Sequence, residues 1–263
     1  NFNAASLNTS LWTFINPLND ATLTMTGSQV SIALPAGQQH DVWVGGNKAP
    51  RIMQPVANFD FEVEVKFQST MNAQYQLGGI IVQQDANNYL RFDFVKDASR
   101  TRAFAASFVG GTPTVRSDVT ITGGNPLYPR VKRQGTQWTE SYSYNGTSWT
   151  TAASFSHTLT VSSVGPFIGN AGSPAPAFTS LIDYFFNTAS PAALAKPSFD
   201  LTVAEAVKNT GVPEEYSLAQ NYPNPFNPET TIEYSMPTRQ YVSIRIFDLL
   251  GREVISLVDE VQD

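Results

Sequence analysis

Hydrophobic and polar residues alternate with a period of two along several short segments, most clearly in NFDFEVEVKF at residues 58–67. Successive side chains of a β-strand point to opposite faces, so Asp60, Glu62 and Glu64 would share one face and the apolar side chains the other. The three carboxylates are candidates either for chemistry or for a solvated outer surface.

Similar β-rich segments recur before residue 188, and Gly, Asn, Pro or Asp breaks separate them at intervals of roughly ten residues. They include ATLTMT, QVSIAL, QLGGIIVQQ, YLRFDFV, RAFAASF, YPRVKRQ, QWTESYSY and LIDYFFN. None of this region has a sustained helical period. The spacing predicts an all-β fold in which two antiparallel sheets pack face to face as a sandwich over residues 1–187.

The chain changes character after residue 187. Residues 188–212 are rich in Ala, Pro and Ser, with little apolar periodicity, which predicts a linker. Three prolines in NYPNPFNP exclude a central strand there, whereas TTIEYSM and VSIRIFDLL alternate as strands do. A second, small β unit is therefore predicted over residues 213–263.

Composition excludes several classes of partner. With 22 acidic and 16 basic residues, the net charge of -6 provides no positive field for nucleic acid. No apolar run reaches the roughly 18 residues of a membrane span, so no membrane insertion is expected. The chain has no cysteine and two histidines, His40 and His157, far apart in sequence, so we expect no metal site with Cys or His ligands.

The C-terminal segment carries a long, specific motif. YSLAQNYPNPFNPETTIEYSMP followed by VSIRIFDLLGREV resembles the C-terminal sorting domain of type IX secretion cargo in Bacteroidetes-group bacteria. The resemblance implies a partial Ig-like β unit, recognition by the type IX secretion machinery through residues 213–263, and a secreted or outer-membrane surface location. Family members continue beyond the Gly-Arg-Glu-Val segment, so a truncated sorting domain is expected.

The first 187 residues resemble concanavalin A-like and laminin G-like modules of bacterial surface proteins. The resemblance rests on SLWTFINP, HDVWVGGNKAPRIMQ, FDFEVEVKF, GGIIVQQDANNYLRFDF, LYPRVKRQGTQWTESYSYNGTSWT and FTSLIDYFF. It implies a two-sheet antiparallel jelly-roll sandwich and carbohydrate binding. The leading interpretation is a carbohydrate-binding module that targets a polysaccharide.

The alternating strand also allows an enzymatic interpretation. Sandwich glycosidases of the laminarinase and lichenase type carry Glu-x-Asp-x-Glu on one strand, and Asp60, Glu62 and Glu64 have the same spacing in a different order. A retaining pair of carboxylates about 5 Å apart would fit same-face neighbours. Because this strand face has no aromatic residue of its own, we instead expect Glu62 and Glu64 to be solvent-exposed.

The segment QQHDVWVGGNKAPRIMQ is the first candidate ligand site. Sugars are recognised by aromatic faces and by planar polar side chains in a preformed groove. The segment offers both kinds of group: His40, Asp41, Trp43, Asn47, Arg51 and Gln54. The alternative is that Trp43 closes the edge of the sandwich and Arg51 pairs with a nearby acid.

A second candidate is a shallow groove beside Arg91 and Asp93 in YLRFDFV, with Gln76 and Gln84 along its wall. We expect small residues of RAFAASF to form its floor and the larger residues of that strand to lie in the core. The small residues are Ala103, Ala105 and Ser107, and the larger ones include Phe104 and Phe108. A surface salt bridge beside short side chains is the alternative.

Two further functional classes stay open beside glycan binding. A polysaccharide lyase would need a base and a carboxylate neutraliser, roles that Arg51, Gln54, His40 and Tyr75 have the chemistry to fill. A structural or adhesive surface module needs no small ligand.

Other residues invite simpler assignments. The DANN and KDAS loops, with Asp85 and Asp97, are candidates for structural calcium, and no other cofactor is expected. Trp12 and Trp138 are predicted core residues. Trp149 is predicted to pack near a hairpin turn at Asn145-Gly146.

Overall fold

The computed structural model describes residues 2, 4–122, 124–125, 127–187, 216–219, 221, 231–247 and 253–262. The chain divides into two compact units, Asn1–Leu194 and Ala195–Asp263. The predicted linker at 188–212 lies outside the described residues. No helix in the described part of the chain has the length and apolar character that crossing a membrane would need.

The first unit is built from β-strands. The strands of its first half are β1 (Thr13–Ile15), β2 (Thr22–Met25), β3 (Val30–Leu34), β4 (Val42–Trp43), β5 (Gly46–Asn47), β6 (Arg51–Pro55), β7 (Phe61–Phe67) and β8 (Gln76–Gln83). Those of its second half are β9 (Tyr89–Lys96), β10 (Thr101–Val109), β11 (Thr112–Ile121), β12 (Tyr128–Gln134), β13 (Gln137–Ser143), β14 (Trp149–Ser156), β15 (Ser163–Asn170) and β16 (Phe178–Asn187).

These strands form two seven-stranded antiparallel sheets, as the periodicity predicted. Sheet A has the order β1-β6-β15-β8-β9-β10-β11, and sheet B has the order β14-β13-β12-β7-β16-β3-β2. The alternation in β7 places Phe61, Val63, Val65 and Phe67 in the core between the sheets, each at most 5% exposed. Trp12 and Trp138 also lie in this core, which confirms their predicted role.

A second, smaller apolar cluster covers the outer face of sheet A. The short β4–β5 hairpin contributes Val42 to it, and Trp43 packs against it. Its turn uses Gly45 and Gly46 at φ of 102° and 94°, a region that residues with side chains rarely adopt. The hairpin therefore lies over part of sheet A and forms one wall of the cleft described below.

The second unit is also β in its described part. Its strands are β17 (Ser217–Leu218), β18 (Tyr234–Ser235), β19 (Gln240–Phe247) and β20 (Glu253–Gln262). They form two antiparallel pairs, β17 with β18 and β19 with β20. The alternating segments TTIEYSM and VSIRIFDLL thus supply strands, as predicted.

Candidate ligand-binding cleft

A cleft of about 300 Å³ opens on the outer face of sheet A. Its lining residues come from the β4–β5 region, β8, β9, β10, β11 and two loops: Asp41, Trp43, Tyr75, Leu77, Arg91, Val95, Arg102, Phe104, Val115 and Ala171. Asp41 and Trp43 of the first candidate site and Arg91 of the second therefore line one cleft.

The floor of the cleft contains a buried ion pair between Arg91 and Asp93. Arg91 Nε and Nη2 donate to the two carboxylate oxygens of Asp93, each at 2.8 Å. Arg91 Nη1 also donates to the carbonyl of Val42 and lies 3.5 Å from Asp41 Oδ1. Burial opposes the charge on Arg91, but the adjacent Asp93 raises the pKa of the guanidinium. Arg91 thus stays charged and fixes the hairpin to the sheet.

Phe104 forms the apolar part of this floor. It lies opposite Asp93 in the β9–β10 register, and its ring is 4.9 Å from Arg91 Cζ. The prediction of Ala103 and Ala105 for the groove floor, and of Phe104 and Phe108 for the core, is wrong. This register turns the two alanines into the core between the sheets and places the two phenylalanines in the cluster on the outer face of sheet A. Periodicity shows which residues share a face, and only strand register shows which face it is.

Two aromatic side chains flank the cleft. Trp43 is half-buried, with its ring edge-on to Phe104 and Phe108 at centroid distances of 5.9 and 6.1 Å. Tyr75 is 44% exposed and has a φ of 68°. A Cβ added at Gly172 would lie 2.8 Å from Tyr75 Cδ2, so the glycine allows this close approach.

The backbone of Tyr75 is fixed on both sides. Its amide donates to Lys96 O at 2.7 Å, and its carbonyl accepts from the Ala171 amide at 2.9 Å. A non-glycine residue with positive φ costs free energy and persists where the surroundings determine it. The backbone of Tyr75 is therefore held in one conformation with the side chain partly exposed, although the sequence singled this residue out only for the lyase alternative.

A second ion pair lies at the rim. Arg102 Nε is 3.1 Å from Asp118 Oδ1, and both side chains are partly exposed. Exposed pairs contribute little to stability, so a ligand can exchange contacts with them at small cost. Arg102 was missed as a candidate, although its alternation with Phe104 in RAFAASF places both on one face.

His40 supports the hairpin region and does not line the cleft. Its side chain is fully buried, with Nδ1 2.9 Å from Asn170 Oδ1 and Nε2 2.8 Å from Asp20 Oδ1. Asn47 accepts the Ala49 amide at 3.2 Å within its own loop. Both side chains therefore hold local backbone in place.

Arg51 lies outside the cleft lining, next to Tyr89. Arg51 Nη1 donates to Ala49 O at 3.0 Å, and burial lowers the pKa of Arg51 to about 10. Burial likewise raises the pKa of Tyr89 to about 12, and its ring stacks on Phe108 at 4.2 Å. Gln54 is half-buried on β6 and is also absent from the lining.

The two glutamines predicted for the groove wall hold loops in place. Gln76 Oε1 accepts the Asn72 and Ala73 amides at 2.9 and 3.1 Å, and Nε2 donates to Ala177 O at 2.8 Å. Gln84 Oε1 accepts the Thr160 amide at 3.1 Å. Neither glutamine lines the cleft.

The carboxylates of β7 lie on the other side of the sandwich, on the outer face of sheet B. The expected exposure of Glu64 is wrong, since it is 3% exposed. Arg130 Nη2 and the Tyr184 hydroxyl each lie 2.6 Å from one of its oxygens. Glu62 is half-buried, 3.6 Å from Arg130 Nη1, and Asp60 accepts the Gly135 amide at 2.6 Å.

The proposed calcium loops use their carboxylates internally. Asp85 Oδ1 accepts the amides of Asn87 and Asn88, both at 2.9 Å. The side-chain hydrogen bond from Asn88, reinforced by the backbone bonds, lowers the pKa of Asp85. Within the described residues, no three His, Cys, Asp or Glu side chains converge as metal ligands. Structural calcium stays a prediction.

The two-sheet antiparallel sandwich with a cleft on one outer face defines a concanavalin A-like module. Residues 1–171 match the family described as the beta xylosidase C-terminal concanavalin A-like domain, and the chain belongs to this family. Residues 220–262 match the secretion system C-terminal sorting domain. The protein is therefore secreted or displayed at the outer-membrane surface through type IX secretion. Comparison with curated protein sequences gives no match.

Solved structures share this fold at low sequence identity. A protein of unknown function from Saccharomyces cerevisiae is 14% identical with a TM-score of 0.56, covering 68% of this chain and 96% of its own. The GH43 protein BlXynB from Bacillus licheniformis is 17% identical, and Xyloglucan PUL GH43B from Bacteroides ovatus 16%, both with a TM-score of 0.55. Matches to these two GH43 proteins cover 71% of this chain and 38% of theirs.

Proposed function

We propose that the first unit is a non-catalytic carbohydrate-binding module whose ligand lies in the cleft on sheet A. One observation carries the proposal: Trp43 and Tyr75 flank a floor in which Arg91 is already held by hydrogen bonds. Aromatic rings stack on the C–H faces of sugars, and fixed polar groups orient hydroxyls. A preformed cleft lowers the entropy cost of binding.

The arrangement of acids favours binding over hydrolysis. Asp93 is fully buried against Arg91, and Asp41 accepts the Val42 amide at 2.7 Å. Among the residues that line the described cleft, Asp41 is the single carboxylate, and Asp118 at the rim is paired with Arg102, so the lining does not itself offer the pair of acids that glycoside hydrolysis requires. The lyase alternative is weakened because His40 and Arg51 are buried outside the cleft lining.

The family relationship suggests the ligands to test first. The description of the chain's family names beta xylosidase, and the name of one structural neighbour includes xyloglucan. Xylan, xyloglucan and their oligosaccharides should therefore lead a glycan array. Reducing-sugar release and ultraviolet absorbance on the same panel would detect hydrolase or lyase activity and would contradict the non-catalytic assignment.

Tyr75→Ala is the cleanest test of the cleft. Loss of a central stacking aromatic commonly costs about 2 kcal/mol, so affinity for the oligosaccharide selected by the array should fall roughly thirtyfold. Isothermal titration calorimetry measures the change. Trp43→Ala should have an effect of similar size, but it also removes edge contacts to Phe104 and Phe108, so its thermal midpoint must be measured in parallel.

Tyr144→Ala is the matched control, because Tyr144 is also 44% exposed and is not a cleft residue. It should leave affinity unchanged. Equal affinities for the Tyr75 and Tyr144 variants, with both proteins folded, would rule out the cleft as the glycan site.

A further inference from the structure

The outer face of sheet B carries a continuous row of stacked and hydrogen-bonded side chains. We call this row the sheet B ridge; it consists of Trp149, Arg130, Glu64, Tyr184 and Phe186. Arg130 Cζ lies 3.5 Å from the Trp149 ring centroid, and the Tyr184 and Phe186 rings are 4.7 Å apart. Arg130 and Tyr184 both bond to the carboxylate of Glu64, which links the two aromatic ends.

Strand register fixes the spacing of this ridge. Arg130 on β12 is opposite Glu64 on β7, and Glu64 is opposite Phe186 on β16. Neighbouring strands lie about 4.8 Å apart, so the Arg130 and Phe186 positions are separated by two strand spacings, about 9.6 Å. The ridge therefore runs across the strands from β12 through β7 to β16, with the Trp149 ring of β14 over Arg130 at one end, and such a straight row suits an extended chain.

The ridge is preorganised and has little net charge. Glu64 is 3% exposed with both oxygens in hydrogen bonds, and burial, reinforced by the bond to Glu64, raises the pKa of the Tyr184 hydroxyl so that it stays a neutral donor. Phe186 is 38% exposed, so its ring is accessible from solvent. Because Glu62 and Glu64 both lie beside Arg130, the surface has no excess positive charge and suits a neutral chain better than an acidic one.

We propose that the sheet B ridge is a second glycan-binding surface, which takes an extended, neutral, β-linked polysaccharide chain running across the strands. Trp149 and Phe186 supply stacking area for sugar rings. Polar groups between them contact hydroxyls. The ridge and the cleft occupy opposite outer faces of the sandwich, so the two surfaces act on separate chains or on separate parts of a particle, and the ridge does not depend on the cleft.

Binding of the full 263-residue chain to insoluble xylan and cellulose particles tests the proposal. In a depletion isotherm, the double change Trp149→Ala/Phe186→Ala should weaken binding to at least one of the two polymers by tenfold or more, because it removes both stacking rings of the ridge. Phe59→Ala is the matched control, since Phe59 has the same residue type and the same 38% exposure. It should bind as the parent does.

The single change Phe186→Ala tests the ridge if the double variant fails to fold. Phe186→Trp should keep the binding of the parent if stacking is the cause. Thermal midpoints should stay within a few degrees of the parent. A folded double variant that binds both polymers like the Phe59 control would overturn the proposal.

The Tyr75→Ala background separates the two surfaces. In that background, soluble oligosaccharide binding at the cleft should weaken roughly thirtyfold, while binding to particles persists and remains sensitive to Phe186→Ala. If the cleft binds no glycan in any assay, the same particle experiment still tests whether the ridge binds glycan. If Tyr75→Ala alone abolishes particle binding, the cleft accounts for all glycan recognition and the ridge is not a glycan-binding surface.

Discussion

Replacing Arg91 by Leu is expected to lower the free energy of unfolding by about 3–5 kcal/mol at neutral pH. Asp93 is fully buried, and Arg91 supplies both of its 2.8 Å charge-assisted hydrogen bonds. Without the guanidinium, the carboxylate would be left as an uncompensated buried charge. The hairpin would also lose its bond to the Val42 carbonyl, so Trp43 should be less well positioned and glycan binding should weaken.

Chemical denaturation of the Arg91→Leu variant and of two companions measures this effect. Arg102→Leu is the matched control: it removes an arginine from the same sheet face, where the pair with Asp118 is exposed and should contribute less than about 1 kcal/mol. The double change Arg91→Leu/Asp93→Leu should recover much of the stability, because no buried charge remains. A single Arg91 variant as stable as the Arg102 variant would show that the buried pair contributes little.

Local periodicity was enough to predict the sandwich. The alternation in FEVEVKF correctly predicts the core face of β7, with Phe61, Val63 and Val65 inside. Short alternating segments separated by Gly, Asn, Pro or Asp breaks at intervals of roughly ten residues were enough to predict two antiparallel sheets. These features depend on short-range sequence, so no knowledge of the partner strands was needed.

The environment of the β7 carboxylates could not be predicted in this way. Glu64 was expected in solvent because its own strand face has no aromatic residue. Its partners Arg130 and Tyr184 are 66 and 120 residues away in the chain, and only the sheet order β12-β7-β16 places them beside it. For a strand whose neighbours are unknown, the sequence therefore predicts which face points to the core. It does not predict how exposed the polar face is.

The cleft shows the same limit, because closeness in sequence does not determine which side chains meet in the fold. His40, Trp43 and Arg51 were grouped because they are close in sequence, yet only Trp43 lines the cleft. Tyr75 joins it through a left-handed backbone conformation that nothing in the local sequence required. The cleft contains an aromatic ring and a charged group of the candidate segments, but which of the candidate residues line it depends on hairpin placement and strand register.

Glu140 provides the second large expected effect, because it is a carboxyl group buried in the core between the sheets. It is fully buried on β13, between Trp138 and Tyr142 on the same strand face. Neither of its oxygens has a hydrogen-bond partner within the described residues. Burial, and then the nearby charge of Asp93, raise the pKa of Glu140 well above its ordinary value of 4.5. The group is therefore held as a neutral acid in the folded protein.

A raised folded-state pKa gives stability that is fully present below pH 4.5 and is lost as the pH rises toward the folded value. Between pH 4.5 and the folded-state pKa, the unfolded chain releases the proton of Glu140 and the folded chain keeps it. This group should then reduce the free energy of unfolding by up to about 1.4 kcal/mol for each pH unit. Glu140→Gln, and more so Glu140→Leu, should be more stable than the parent at pH 8 and should differ less from it at pH 5.

Denaturation curves at pH 5, 6, 7 and 8 measure this difference, with Glu62→Gln as the control because Glu62 is partly exposed beside Arg130. The control should keep the parent's pH profile above pH 5, whereas both Glu140 variants should flatten it. Leu should exceed Gln because it also removes the polar atoms that lack partners. Parallel profiles for parent and Glu140→Gln would mean that Glu140 is ionised in the folded state and has found a partner for its charge.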